Sequence, residues 1–351
     1  MNTLVRSGAL RLHTAWGVGG LLLLCLLLAV WAGAVSVQPQ DWLALWTRED
    51  GQPLSGSAYV LWHLRLPRIV FALLVGAALG WAGALTQGLF RNPLADPGLL
   101  GVSSGAACAA ALTIVLLAQS GLAIPFAWRY ALLPVAAFTG AVVVCWGLDS
   151  MARWITADSM AGLLLTGIAL NAIAGAVIGL CTYLATDEQL RSLSFWTMGS
   201  MAAASWWLVL VMAVLLVVGH ASMQRSLRAM NALALGEAAA AHVGIGVRAL
   251  RQRVVLLVAV VSGFAVAWCG VIAFVGLIAP HIVRSVLGPD QRWVAPGSMA
   301  VGGVLLLLAD TAARTVAIPA EVPVGIFTSL MGAPFFLLLL LGLRRRGVAY
   351  A

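Results

Sequence analysis

Of the chain's 351 residues, 62% are hydrophobic and 9% charged, against the roughly 25% charged residues of a water-soluble globular chain. That balance excludes a soluble protein, leaves no room for a large soluble domain, and makes 1–351 a single membrane domain. All 20 Lys+Arg residues are arginine, so the phosphate-binding loop whose lysine reaches a nucleotide is absent, the chain cannot hydrolyse ATP by that route, and energy, if needed, comes from elsewhere. The net charge of +8 does not point to nucleic acid, because the arginines sit at the edges of apolar runs, where cytoplasmic excess sets membrane orientation.

The first apolar run, 15–35, follows Arg6 and Arg11. It is longer than the about 7–15 apolar residues of a signal peptide and reads as a first membrane helix that starts in the cytoplasm. A polar segment, 38–57, then faces outside. Further runs follow at 60–90, 101–119, 130–148, 161–185, 206–221, 253–269, 271–287, 295–316 and 324–343. At about 20 residues per crossing these predict an all-α integral membrane protein of about ten transmembrane helices. An even count puts both termini on one side, and Arg344, Arg345 and Arg346 mark that side as cytoplasmic.

Arg65 and Arg68 break the charge rule at the outer entrance of the second helix, three residues apart on one face, as if something anionic met them there. The stretch from Arg91 to Gly98 carries Pro93 and Pro97, so no helix continues through it. It reads equally as a pathway constriction or as a cytoplasmic turn. Between 223 and 253 the longest polar stretch encloses an Ala-rich helix from Leu235 to Gly244, which alone reads as a connector. Gly76 and Gly80, Gly101 and Gly105, and Gly175 and Gly179 are spaced for close helix packing. Asp310 and Arg314 stand four apart on the ninth helix, the spacing of an ion pair, and Asn171 reads as a packing or cavity contact. Gly83 precedes Pro93 by ten residues as Gly270 precedes Pro280, a faint mark of an inverted repeat.

The five cysteines lie in apolar segments without a C-x-x-C pair, and the five histidines do not form facing pairs, so no resident metal or cofactor is expected. A proton-driven carrier needs titratable groups deep in the bundle, and apart from Asp310 the acids fall in loops. A membrane enzyme needs a constellation of nucleophile, base or metal ligands, and the sequence offers none.

Five stretches carry a resemblance. They are Leu64-Arg65-Leu66-Pro67-Arg68, the run from Arg91-Asn92-Pro93-Leu94 to Gly105, Leu235-Gly236-Glu237, the run from Phe274 through Pro280-His281 to Arg284, and Leu308-Ala309-Asp310-Thr311-Ala312-Ala313-Arg314. In this order and spacing they resemble the FecCD/BtuC-type permeases of ABC importers over nearly the whole chain. The resemblance implies the type II ABC importer permease fold in a bacterial inner membrane. It also implies a second permease copy in a homodimer, two ATP-binding subunits that hold the ATP, and a periplasmic binding protein.

By the same resemblance Arg65, Arg68 and Arg314 dock the binding protein. Asn92 and Leu94, with Met160 and Ala161, form the cytoplasmic gate. Within the coupling region 228–250, Leu235, Gly236, Glu237, Ala241, His242 and Gly244 meet the ATPase, which reverses the connector reading. The segment 187–200 is similar to that of haem-importing members, so haem is the expected cargo, with a ferric siderophore or cobalamin as the alternative.

Overall fold

The computed structural model describes residues 2–47, 53–119, 126–156 and 160–345. Its regular structure among these residues is helical throughout. In chain order come α1 (Asn2–Trp31), α2 (Pro39–Thr47), α3 (Gly56–Tyr59), a π-helical stretch (Val60–Arg65) and α4 (Leu66–Phe90). A 3-10 turn (Pro97–Leu100) leads into α5 (Val102–Gln119), α6 (Phe126–Thr156), α7 (Met160–Leu184), α8 (Asp187–Met198) and α9 (Trp206–Leu233). The chain closes with α10 (Glu237–His242), α11 (Val247–Cys269), α12 (Val275–Leu287), α13 (Gln291–Thr315) and α14 (Val324–Arg345).

Each apolar run of the sequence falls in one of these helices. Among the described residues six helical segments are long and apolar enough to cross a membrane, and four shorter apolar ones, Trp16–Trp31, Val102–Leu116, Val275–Leu287 and Val324–Leu339, accompany them. The protein is thus a multi-pass helical membrane protein.

Of the boundaries that moved, two did so for a shared reason. The run 206–221 continues as α9 to Leu233 because Met223, Leu227, Met230 and Leu233 keep the buried stripe going at helical spacing, past the arginines that end the hydropathic run. α11 starts at Val247 for the same reason, with Leu250, Arg251 and Val254 buried. Two elements have no counterpart in the apolar runs: α2, inside the segment expected to be merely polar, and α8, which Thr186 and Gln189 close at its start with a reciprocal capping box. The spacing that hinted at an inverted repeat falls on unlike places, since Gly83 lies inside α4 while Gly270 caps the end of α11.

α4 is the centre of the bundle, enclosed by α1, α9, α11, α12 and α13. Between membrane helices there is little hydrophobic drive, so close backbone approach and dispersion do the holding. A Cβ at Gly76 would fall on the carbonyl of Gly302 in α13, one at Gly80 on that of Ser298, and one at Gly83 on that of Gly276 in α12. Phe71, Trp81, Leu85 and Leu89 fill the remaining surface of α4 and are fully buried. Gly105 meets Gly140 backbone to backbone between α5 and α6, as its spacing predicted. Gly175 and Gly179 do not follow that expectation: both are exposed on α7, with nothing within 4 Å of an added Cβ.

Candidate functional site

The two ends of the bundle carry different chemistry. At the Arg68 end, where α4 begins and α13 ends, Asp310 is fully buried and collects two guanidinium groups. Arg68 donates Nε and Nη2 to its Oδ1 at 3.0 and 2.9 Å, and Arg314 donates Nε to its Oδ2 at 3.1 Å. Arg68 reaches further, donating Nη1 to both oxygens of Glu321 at 2.8 Å. The i, i+4 pairing of Asp310 with Arg314 is as the spacing predicted. The Arg68–Asp310 pair joins positions too far apart in sequence for any local pattern to reveal.

The arginines expected to face a partner are thus largely engaged within the chain. Arg65 is buried and donates Nη1 to the carbonyl of Val30 at 2.8 Å and Nη2 to that of Val35 at 2.7 Å. Arg314 donates to the carbonyls of Ala32 and Ala29, both at 3.2 Å. The carbonyls of Ala29, Val30 and Ala32 are those that the end of a helix leaves unpaired and that of Val35 lies just beyond it, so Arg65 and Arg314 fasten the end of α1 and the segment after it to α4 and α13. Arg68 keeps 12% of its side chain exposed, and its partner Glu321 keeps 47%.

At the Arg91 end, α4 stops where Arg91 takes the left-handed conformation, φ 52°. The chain then turns through Asn92, whose Oδ1 accepts from the Leu94 N–H at 2.9 Å. Asp96 caps the 3-10 turn, accepting from the Gly98 N–H at 2.8 Å. This turn is held from α7 and α5: Asn171 donates Nδ2 to the carbonyl of Gly98 at 3.3 Å, and Ser104 donates its hydroxyl to Asn171 Oδ1 at 2.5 Å. Asn171 is therefore a contact of the kind its sequence position suggested, and the contact is with the loop that contains Asn92 and Leu94. Asn92 is exposed, and Leu94 half-buried. Met160 opens α7, but its side chain and that of Ala161 lie outside the described residues.

Beside this loop sits α10, the short Ala-rich helix seen in the sequence. Gly236 (φ 118°) and Gly244 (φ 81°) supply the backbone turns that bracket it. Ala240 alone of its residues is buried, while Leu235, Ala241, His242, Val243 and Gly244 are exposed. Glu237 approaches Arg91, with 3.9 Å between Nη2 and Oε1. Among the described residues no group of three or more His, Cys, Asp or Glu could hold a metal.

α8 packs against α5 and α14, and its end is knotted to two other backbones. Gly199 accepts from the Val324 N–H at 3.1 Å, and Ser200 donates its N–H to Cys269 at 2.8 Å. A Cβ on Gly270 would fall on the carbonyl of Trp196, and one on Gly325 on that of Met198.

An apolar multi-pass bundle with a compact helix presented at one end and a buried charge cluster at the other is the frame of a membrane permease. The profile of the FecCD transport family matches residues 21–342, and the chain belongs to that family. It is 41% identical to the hemin transport system permease protein HmuU of Yersinia pestis over 94% of this chain and 96% of that one. It is 40% identical to the vitamin B12 import system permease protein BtuC of Pectobacterium atrosepticum over 91% of each. Among solved structures, an inward-facing conformation of a transporter described as of the metal-chelate ABC type superposes with a TM-score of 0.78 at 31% identity, covering 93% of this chain and 98% of that one.

Proposed function

We propose that the protein is the permease subunit of an ATP-driven importer that passes haem from a periplasmic binding protein to the cytoplasm, working as a homodimer on two ATPase subunits in a bacterial inner membrane. The observation that carries this reading is end-to-end likeness to a hemin permease at 41% identity. The segment that the sequence singled out for cargo is the helix α8, placed against α5 and α14. In this reading the ten apolar helices all cross the membrane, both termini are cytoplasmic, and the Arg91 end faces the cytoplasm. The exposed Leu235, Ala241, His242 and Val243 are then the surface offered to the ATPase. The Arg91–Glu237 approach links that surface to the loop of Asn92 and Leu94, which forms the gate together with Met160 and Ala161.

The Arg68 end then receives the binding protein, with Arg68 as the cation within reach of an acidic partner and Arg65 and Arg314 as the groups that hold α1 in place around it. Rim charges of this kind steer and orient docking more than they add affinity. Arg68→Gln is expected to slow association with the binding protein and to flatten its salt dependence, read on protein whose unfolding is measured in parallel, because the substitution also takes a cation from the buried Asp310. Arg65→Glu likewise mixes docking with folding, because it removes the bonds to Val30 and Val35.

A second reading, cobalamin as cargo, is kept because the vitamin B12 permease is nearly as similar. Proteoliposomes holding the permease with its ATPase, supplied with binding protein loaded with haem, a ferric siderophore or cobalamin, decide between them. ATP-dependent accumulation of haem alone supports the proposal, accumulation of another cargo replaces the substrate, and uptake driven by a proton gradient without ATP removes the importer reading.

A further inference from the structure

α2 is built inside out. Its residues Pro39, Trp42, Leu43 and Trp46 follow the i, i+3, i+4, i+7 spacing of an amphipathic stripe. On a helix lying on a protein in water that stripe turns inward, but here it turns away from the bundle: Trp46 is 71% exposed and Leu43 58%. The one buried residue of α2 is an acid. Asp41, only 2% exposed, accepts from the Gln38 N–H at 2.8 Å and from the hydroxyls of Ser57 and Ser55 at 2.9 and 3.3 Å. Its carbonyl accepts from the Trp62 indole at 3.0 Å.

The outward stripe continues into a membrane-facing surface. The Trp62 ring meets Trp42 and Trp46 edge-on, with centroids 6.2 and 5.5 Å apart. Trp206, at the first turn of α9, donates its indole N–H to the carbonyl of Trp62 at 2.9 Å. The adjacent Trp207 heads an exposed column of Leu210, Val214, Val217 and Val218 down α9, a helix long and apolar enough to cross the membrane. Trp31, at the last turn of α1, is exposed as well. Tryptophans gathered at one level of several membrane helices mark the boundary between hydrocarbon and water. At nine residues, α2 is too short to cross the hydrocarbon core.

We propose that α2 is an interfacial helix, lying in the plane of the leaflet at the Arg68 end with Trp42, Leu43 and Trp46 among the upper acyl chains and Asp41 turned to the protein. An amphipathic helix so placed binds through its buried apolar face. Its continuity with the apolar column of α9 favours lipid over a water-soluble partner, because such a partner cannot cover both. The assignment does not depend on which cargo the permease carries.

The test uses the whole permease with its ATPase in vesicles of phosphatidylethanolamine and phosphatidylglycerol, in a background where the native cysteines are alanine. Nitroxides are placed one at a time at Leu43→Cys, Trp46→Cys, Gln40→Cys and Thr47→Cys, and collision with dissolved oxygen and with a water-soluble nickel chelate is measured. The expected oxygen-to-nickel ratio is about threefold higher at 43 and 46 than at 40 and 47, as for a face dipped into the acyl boundary. Leu43 carries the test alone if the tryptophan variant fails to assemble. Water-like nickel access at 43 overturns the proposal, as does shielding from both reagents. Nickel access at 43 that is lost only after a soluble binding protein is added assigns the face to that protein and also overturns it.

Discussion

Asp310→Asn is the sharpest test of the charge cluster at the Arg68 end. In the native protein two cations, Arg68 and Arg314, meet two anions, Asp310 and Glu321, with Arg65 beside Arg314. The substitution removes the fully buried anion that receives both Arg68 and Arg314. Arg68 keeps Glu321, but Arg314, 7% exposed, is left with only the carbonyls of Ala29 and Ala32. Breaking a buried pair by deleting one member costs about 3–5 kcal/mol, because the other charge stays desolvated. With Arg68 still paired, the loss is expected within that range rather than at twice it. Equilibrium unfolding of the permease in mixed micelles, followed by tryptophan fluorescence, measures it for Asp310→Asn, Arg314→Met and the double variant. The double variant is expected to lose less than the sum of the two single losses, since the cation that Asp310→Asn strands is gone. A loss below about 1 kcal/mol for Asp310→Asn, the range of a solvent-screened surface pair, or singles that add within about 0.5 kcal/mol, would refute the reasoning.

Other expectations follow from the same geometry. Gly175→Leu has open space before it and is expected to leave the folding of the chain within about 0.5 kcal/mol of native in equilibrium unfolding, whereas Gly80→Leu drives a side chain into the Ser298 carbonyl and should prevent assembly of a folded chain. Leu235→Asp, at a position 81% exposed, is expected to abolish co-purification of the ATPase with the unfolding midpoint unchanged; retained co-purification would remove α10 from the contact. The Gln38 N–H, with the hydroxyls of Ser57 and Ser55, holds the Asp41 carboxyl below its ordinary value. A lowered carboxylate stabilises the fold fully above the unfolded value of about 3.9 and loses that contribution as pH falls through the lower folded value. A nitroxide at 43 should therefore keep the same mobility from pH 7 to about 5 and loosen only under stronger acid, while Asp41→Asn loosens it at every pH.

The helices were legible because membrane crossing is written in residue type, summed over a long window. α2 and α8 were not, because each is short and its stability comes from side-chain bonds at its ends: Asp41 with Ser57 in one, Thr186 with Gln189 in the other. The limits of local pattern are clearest in the glycine pairs. Gly76 with Gly80 and Gly175 with Gly179 share one spacing, yet the first pair meets α13 and the second meets nothing within 4 Å among the described residues. Spacing announces a smooth helix face but not what lies across it. Likewise the anomaly of Arg65 and Arg68 was visible as charge in the wrong place, and a counter-ion on α13 was not. Asn171 reads in the sequence as a packing or cavity contact, while its hold on the loop before α5 required the fold.

The enclosure of α4 divides the molecule into a fixed part and movable parts. Helix backbones in touch at Gly76, Gly80 and Gly83 have no side-chain layer between them to shear, so α4, α12 and α13 behave as one stator. α7, largely exposed along its length, has its own close approach elsewhere, where Gly167 lets the Leu99 carbonyl come up to its backbone. Asn171 on the same helix holds the neighbouring Gly98 carbonyl. α7 is therefore tied to the turn that follows Asn92 and Leu94 and not to the post made by α4, α12 and α13, so the two parts of the bundle meet through that loop.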